Sequence, residues 1–436
     1  MNFYKYILSL IVALMMGTGA LKAQAPESAD SVEAEPDSTG LKLNITLITC
    51  DPGPDAYQMF GHTAIRVRDM NNPDYDLVYN YGVFDSRRNN FIYYFVKGET
   101  DYVLSVDHAN SFLGRYSDHF GIQMYEQQLN LSEEQKDTLA RLLEINAQPD
   151  NRTYRYNFLY DNCTTRATNI IEKAIEKTGE KLQYRQCQPA YEQTTFREIL
   201  HRFTAVTPWL EFGIDFVLGS EVDSPRSQRE QMFIPSIFEA ELDSAIIISS
   251  DAKKTMVAEK TTIHPTTEPE QTPDFPLSPL ATFAIILVLT IILCIFDIKR
   301  GKLSLWADIA GLFIRSLAGF LVAFLFFLSE HPAVGSNWLV LAFNPLYFVM
   351  IPNVIYTVSQ GKYMAKVNIK GMKYDWFELV NLAVLIFTLL LFILPIQQLN
   401  IAMLPLVLIL LFRCITRIIV LNKKVNAIKI INRNKH

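Results

Sequence analysis

Five long apolar runs fill the C-terminal third of this 436-residue chain, centred near Ile286, Phe320, Phe348, Leu389 and Ile409. A helix of about 20 apolar residues crosses a hydrocarbon core of about 30 Å, so each run is long enough to span a membrane. The expected spans are 278–296, 309–328, 338–358, 377–396 and 401–421. Lys299, Arg300 and Lys302 follow the first run, Lys362, Lys366, Lys370 and Lys373 the third, and Lys423, Lys424, Lys429, Arg433 and Lys435 the fifth. The other two connections, Ser329–Asn337 and Gln397–Asn400, carry no Lys or Arg. The positive-inside rule then predicts a cytoplasmic C-terminus and an extracytoplasmic location for everything before the first span. Arg315, inside the second run, is costly facing lipid and is expected to pair, with Asp308 or a lipid headgroup as candidates.

The other end agrees with that orientation. Lys5, the apolar stretch Ile7–Met16 and the small-x-small site Ala23-Gln24-Ala25 read as a signal peptide over 1–25. An acidic Ser/Glu/Asp/Pro lead (26–40) is expected to be disordered, 41–248 to fold as a domain, and the Thr/Pro/Glu/Lys tract 249–276 to be a linker. The transmembrane domain occupies 277–421 and a basic cytoplasmic tail 422–436. With 40 Lys+Arg against 45 Asp+Glu, the chain lacks the basic excess that nucleic-acid binding needs. Chemistry outside the cytoplasm also has no supply of ATP or nicotinamide, so no cofactor is expected. No HExxH or CxxC spacing occurs, and no metal site is expected.

Within 41–248, Leu43–Thr49, His62–Arg68 and Leu77–Val83 alternate like strands, with turns at Asp51-Pro52-Gly53-Pro54 and Asn71-Asn72-Pro73. Leu131–Glu144 has helical spacing behind Ser132, with Gln135 three residues on. The fold class expected is α+β. The segment Phe203–Gly219 reads either as a core helix of this domain or as an amphipathic stretch at the headgroup level.

Five cysteines divide unequally: Cys294 and Cys414 fall in apolar runs, and Cys50, Cys163 and Cys187 lie outside them. Three thiols cannot all pair; Cys50 and Cys187 are free to bridge each other, which leaves Cys163. Downstream of it Ala167, Ile170, Ile171, Ala174 and Ile175 recur at helical spacing, so a helix starts at or just after the cysteine with Asp161 or Asn162 as cap. A thiol there feels the positive end of the helix dipole, which favours the nucleophilic thiolate. Of His62, His108, His119 and His201, the first opens a strand behind Gly61 and is the candidate base. If 77–83 pairs with 62–68, Asn80 falls near His62 as the orienting group; a slip by one residue would present Tyr79 or Tyr81.

A strand histidine, a strand polar residue and then Asn-Cys at a helix start resemble the permuted papain-like (NlpC/P60-like) thiol fold of lecithin:retinol acyltransferase and its relatives. A resemblance to the Lnb-type lipoprotein N-acyltransferases covers more of the chain. It rests on Thr49-Cys50-Asp51-Pro52-Gly53, Phe60-Gly61-His62-Thr63-Ala64-Ile65-Arg66-Val67, Tyr79-Asn80-Tyr81-Gly82-Val83-Phe84, Asn157–Arg166 and Pro208-Trp209-Leu210. In the membrane part it rests on His331-Pro332, Asn337-Trp338 and Asn344-Pro345-Leu346. The resemblance implies a Gram-negative inner-membrane enzyme that moves an acyl chain from a phospholipid, through a Cys163 thioester, to the terminal amine of diacylglyceryl-cysteine. Beside it, the residues read above stand as the catalytic candidates, Cys163, His62 and Asn80, the third still open to its tyrosine neighbours, with Tyr160, Asp161, Asn162, Arg166, Tyr79, Tyr81 and His331 as supporting candidates. The partners implied are the phospholipid donor, the diacylated lipoprotein and the membrane. The rival enzyme reading is a periplasmic cysteine peptidase or amidase acting on peptidoglycan.

Overall fold

The structure is a computed structural model. It describes residues 41–433 except Pro54, Ala56, 86–89, 187–192, 251, 268–274, 364–365 and 370–371, with the backbone alone for 368–369, 372–373 and 424–433. The expected signal peptide, the acidic lead and Cys187 lie outside the described residues. The chain divides into two compact units, one built from residues up to 203 together with 225–273, the other from 204–224 together with the chain from 274 onward.

The first unit is built on a seven-stranded antiparallel sheet. Its strands are β1 (Leu43–Cys50), β2 (His62–Asp69), β3 (Asp76–Val83), β4 (Asp101–His108), β5 (Met124–Leu129) and β6 (Thr153–Arg155), and a further strand, Val257–Ile263, completes it. That last strand pairs with β5, so the order runs Val257–Ile263, β5, β1, β2, β3, β4, β6. The tract 249–276 was expected to be a linker; part of it instead forms this edge strand. Its Thr/Glu/Lys composition suits an edge, with residues 258–262 exposed and charged side chains that discourage further pairing.

β1 is buried on nearly every residue because the sheet is covered on both faces. One face holds Leu43, Ile45, Leu47, Ile65, Val67, Leu77 and Tyr79 against helices α3 (Glu133–Ala147), α4 (Cys163–Lys177) and α5 (Pro235–Ser244). On the other face Ile48, Ala64 and Val78 meet α2 (Ala109–Gly114), which follows α1 (Phe91–Lys97) in the chain. The capping box anticipated at Ser132 is present: Ser132 Oγ accepts from the Gln135 amide and Gln135 Oε1 from the Ser132 amide. In α4 the predicted stripe Ala167, Ile170, Ile171, Ala174 and Ile175 is buried. Each of its isoleucines stabilises the docking by about 1.5–3 kcal/mol.

The second unit has α6 (Pro279–Arg300), α7 (Leu305–Leu328), α8 (Trp376–Leu390) and α9 (Met403–Arg433). Among the described residues four helices are long and apolar enough to cross a membrane: Pro279–Arg300, Leu305–Leu328, Leu339–Gln360 and Met403–Lys423. One of the five expected spans, the fourth, falls short, and the third carries a break. The fourth, 377–396, is helical only to Leu390; α8 has 15 residues, about 22 Å at 1.5 Å per residue. The third is broken at Asn344, which is extended (φ −148°, ψ 159°) because Pro345 behind it disfavours the helical region.

The break frees backbone groups that lipid cannot satisfy, and Arg315 takes one of them. Its Nε donates to Ala342 O at 2.6 Å and its Nη1 to Asn381 Oδ1 at 2.8 Å, while the guanidinium lies 3.4 Å over the Tyr347 ring. The expected partner Asp308 is engaged elsewhere. Arg413 of α9 bridges Asp297 of α6 (2.9 Å) and Asp308 of α7 (2.6 Å), and Arg417 bridges Asp308 (3.1 Å) and Glu378 of α8 (2.6 Å). The segment 204–224, expected within the extracytoplasmic domain, belongs to this unit. Phe212 and Phe216 of the helix Pro208–Val217 pack among Val322, Leu339, Phe343 and Met403, and Asn337 Nδ2 donates to Phe216 O at 2.9 Å.

Arg417→Ala leaves Asp308 and Glu378 short of a buried cation, and breaking such a pair typically costs about 3–5 kcal/mol. The expected outcome is a markedly lower melting temperature in detergent, while Lys302→Ala, an exposed cation, leaves it unchanged.

Candidate active site

The loop before α4 is fixed by side-chain to backbone bonds. Asn157 Oδ1 accepts from the amides of Leu159 and Tyr160, both at 3.1 Å, and Asn157 bridges to Asp161. Asn162, extended at φ −121° and ψ −174°, is the cap. Its Oδ1 accepts from the amides of Thr164 and Thr165 at 2.9 Å each, and Thr165 Oγ1 accepts from the Asn162 amide at 2.8 Å. The Asn162 side-chain Nδ2 in turn donates to Phe158 O (2.7 Å) and Phe233 O (2.9 Å), so the cap is held on both sides. Cys163 is therefore the first residue of α4, 9% exposed, at the positive end of the helix. The cap takes the amides of Thr164 and Thr165 and leaves that of Cys163 outside its bonds.

β2 and β3 bring the other two candidates together. Their register, Arg68↔Asp76 to Ile65↔Tyr79, puts His62 and Asn80 on one face, and Asn80 Oδ1 lies 2.7 Å from His62 Nε2. A carboxamide oxygen only accepts, so Nε2 carries the proton and Nδ1 is left for the thiol. The strands pair no further than Ile65↔Tyr79. Gly82, at φ +93° where only glycine is unstrained, lies in a register shift of β3 against β4 between Asn80 and Val83. The splay leaves the Thr63 amide to donate to the Cys163 sulfur. A Cβ on Gly82 would lie 3.6 Å from Cys163 Cβ and 3.8 Å from His62 Cε1. This glycine thus lines the space in which thiol and imidazole meet.

Burial alone pushes the Cys163 thiol up. The His62 charge and hydrogen bond, the Thr63 amide and the Thr164 hydroxyl outweigh it and hold the thiol below its ordinary value. Burial pushes His62 the other way, and the facing Cys163, with the Asn80 bond, brings it net above the ordinary imidazole value despite the opposing Arg115. The two directions agree, since each group stabilises the charged form of the other. The imidazole also stacks on Tyr116, 5.9 Å between centroids at 10°. Behind Asn80, its Nδ2 reaches Asp107 Oδ2 at 3.5 Å, and Asp107 Oδ1 accepts from Ser105 Oγ at 3.0 Å.

The remaining candidates separate clearly. Tyr79 and Tyr81 face the opposite side of the sheet in the core, and Tyr81 Oη accepts from Asn146 Nδ2 at 2.9 Å. Asp161 holds Arg166 by two bonds of 2.6 and 2.8 Å and is not the cap. Tyr160 is exposed, edge-on to Phe196. His331 belongs to the second unit, where its amide donates to Ser329 Oγ at 3.3 Å. His108 and His119 are exposed. Cys50 is a free thiol, buried and pushed well up by burial, and unlike Cys163 it has no cation to reverse that effect. Sequence reasoning missed Thr63, Gly82, Tyr116 and Asp107; the Gly in Asn80-Tyr81-Gly82 was the one signal that pointed to a break in the ladder.

Alkylation of Cys163 by iodoacetamide, followed by peptide mass mapping, should reach half its plateau rate below the free-thiol value of about 8.5. In His62→Gln the opposing cation is gone and burial remains, so the midpoint should move above that value. An unchanged midpoint in the variant would show that the pair does not set thiol acidity.

Two family models match the chain: the Lnb N-terminal periplasmic domain over residues 37–202 and the Lnb transmembrane domain over residues 270–425. No curated protein and no solved structure matches it. The periplasmic match covers the strands and helix that carry His62, Asn80 and Cys163, and the transmembrane match covers all the long apolar helices: the chain is a multi-pass membrane protein of the Lnb family.

Proposed function

We propose that the chain is a phospholipid-dependent lipoprotein N-acyltransferase of the inner membrane, with its thiol unit on the periplasmic side and its C-terminus in the cytoplasm. The observation that carries the reading is a buried thiol at a helix N-terminus, held below its ordinary pKa by a histidine whose second nitrogen is tied to Asn80, in a chain of this family. Cys163, His62 and Asn80 act as nucleophile, base and orienting group, the three parts of a papain-like site.

His62 Nδ1 takes the thiol proton, and the sulfur attacks the ester carbonyl of the phospholipid. The S–C bond forms, the C–O ester bond breaks, and the departing alkoxide takes the proton back from His62, leaving lysophospholipid and a Cys163 thioester. The amine of diacylglyceryl-cysteine then attacks the thioester; His62 takes a proton from the nitrogen, the C–S bond breaks, and the thiolate–imidazolium pair is restored. The uncapped Cys163 amide is the donor placed for the oxyanion of both steps. No cofactor enters the scheme. The apolar helices tie this chemistry, through the chain, to the membrane in which donor and acceptor both reside.

Cys163→Ala should abolish N-acylation of a model lipopeptide, and the acyl-thioester trapped on the wild-type protein should be absent from the variant. His62→Ala should slow transfer by about 10²–10⁴-fold, the usual loss for a general base. Mass spectrometry of the lipopeptide reads both; full acyl mass from Cys163→Ala would sink the proposal. A peptidoglycan amidase would leave the lipopeptide mass unchanged even in wild type.

A further inference from the structure

Tyr154 has a buried hydroxyl that nothing in the fold uses. It sits in the middle of β6, opposite Tyr102 of β4, with 7% of its surface exposed, and its Oη has no hydrogen-bond partner. The ring is clamped: the Arg166 guanidinium lies 3.6 Å over one face, itself held by the two bonds to Asp161, and Tyr81 meets the ring edge-on at 6.3 Å. The clamp fixes where the hydroxyl points. Measured from a Cβ placed on Gly82, Tyr154 Oη is 4.0 Å away, Cys163 Cβ 3.6 Å and His62 Cε1 3.8 Å, so the hydroxyl, and not the ring, faces the space around the thiol.

A buried hydroxyl without a partner is costly, and in a folded protein it calls for a reason such as a ligand that supplies the missing bond. We propose that Tyr154 is a catalytic residue, the side-chain half of an oxyanion hole whose backbone half is the Cys163 amide. The inference rests on the acyl-transfer reading above and names the group that would stabilise its tetrahedral intermediates. When the Cys163 sulfur adds to the acyl carbon, the carbonyl π pair moves onto oxygen; Tyr154 donates its O–H to that oxygen and keeps the proton. Collapse returns the pair, expels the alkoxide, which is protonated by His62, and releases the Tyr154 hydroxyl. Burial pushes this phenol far up, and the neighbouring Cys163 charge pushes the same way, so it remains a donor whenever the thiol is ionised.

The test uses the full-length protein in detergent with p-nitrophenyl butyrate, whose acyl group on Cys163 releases a stoichiometric burst of nitrophenolate; Cys163→Ala is the blank. Tyr154→Phe removes one oxygen that makes no bond in the fold. It should slow the burst about 100-fold, as loss of one oxyanion-hole donor does. Alkylation of Cys163 by iodoacetamide, a displacement with no oxyanion, should keep its rate and its pH midpoint. A burst at the wild-type rate overturns the proposal, and so does a burst and an alkylation slowed in equal proportion, which would place the effect on the thiol or on the fold. A wild-type protein with no Cys163-dependent burst overturns this inference and the acyl-transfer reading together. A normal burst with no transfer to a lipopeptide overturns that reading alone, and the Tyr154→Phe comparison still decides this one.

Discussion

Burying a thiol makes it harder to ionise, and at Cys163 the largest of the interactions that reverse this is the charge and hydrogen bond of His62. Cys50 is the internal comparison. It is another buried thiol of the same unit, pushed well up because the groups around it, the Cys163 sulfur and the Asp51 carboxylate, add to the effect of burial. The difference lies in position rather than in residue type. Cys163 stands where a helix begins and faces the strand end that carries His62, and the Thr63 amide is left over from the ladder to point at it.

That position follows from where two adjacent strands stop pairing. Continued by two more pairs, β2 and β3 would bring Thr63 opposite Tyr81 and draw the Thr63 amide into the ladder. Gly82 turns β3 away instead. The same splay keeps His62 and Asn80 on one face of the sheet while Cys163 reaches them from the other, past the strand ends. Precision then comes from rigid neighbours: the doubly held Asn162 cap for the sulfur, and Asn80 with the stacked Tyr116 for the imidazole.

Much of this was legible because it is local or periodic. Alternation marked β1 to β3 and helical spacing marked α4, and register alone brought Asn80 and not its tyrosine neighbours to His62. What escaped depends on distant partners. The strand Val257–Ile263 is polar because it lies at an edge, and polarity in sequence reads as a linker. The helix Pro208–Val217 has an apolar face that suits either unit, and its partners Val322 and Leu339 lie more than a hundred residues on. Hydropathy counts residues in a run and takes no notice of Pro345, whose effect on Asn344 breaks one span, or of where α8 stops. Arg315 was expected to pair with Asp308 or a lipid headgroup; the broken helix offered it a freed carbonyl, and the carboxylates went to Arg413 and Arg417.

A buried thiol has a further consequence for transfer between two lipid substrates. On the acyl-transfer reading the thioester must persist after the first product leaves and before the amine arrives, and water is the competing nucleophile throughout. Thioesters react with amines far more readily than oxygen esters do, so the enzyme gains from choosing sulfur only if water is kept from the intermediate. Cys163 has 9% of its surface exposed, and Tyr154, Tyr81 and Tyr102 in its surroundings are all buried. The burial that makes the free thiol hard to ionise therefore protects the thioester once it forms. His62 resolves the conflict between the two demands, because its charge is present when the thiolate must form and has been given to the leaving group by the time the thioester must wait.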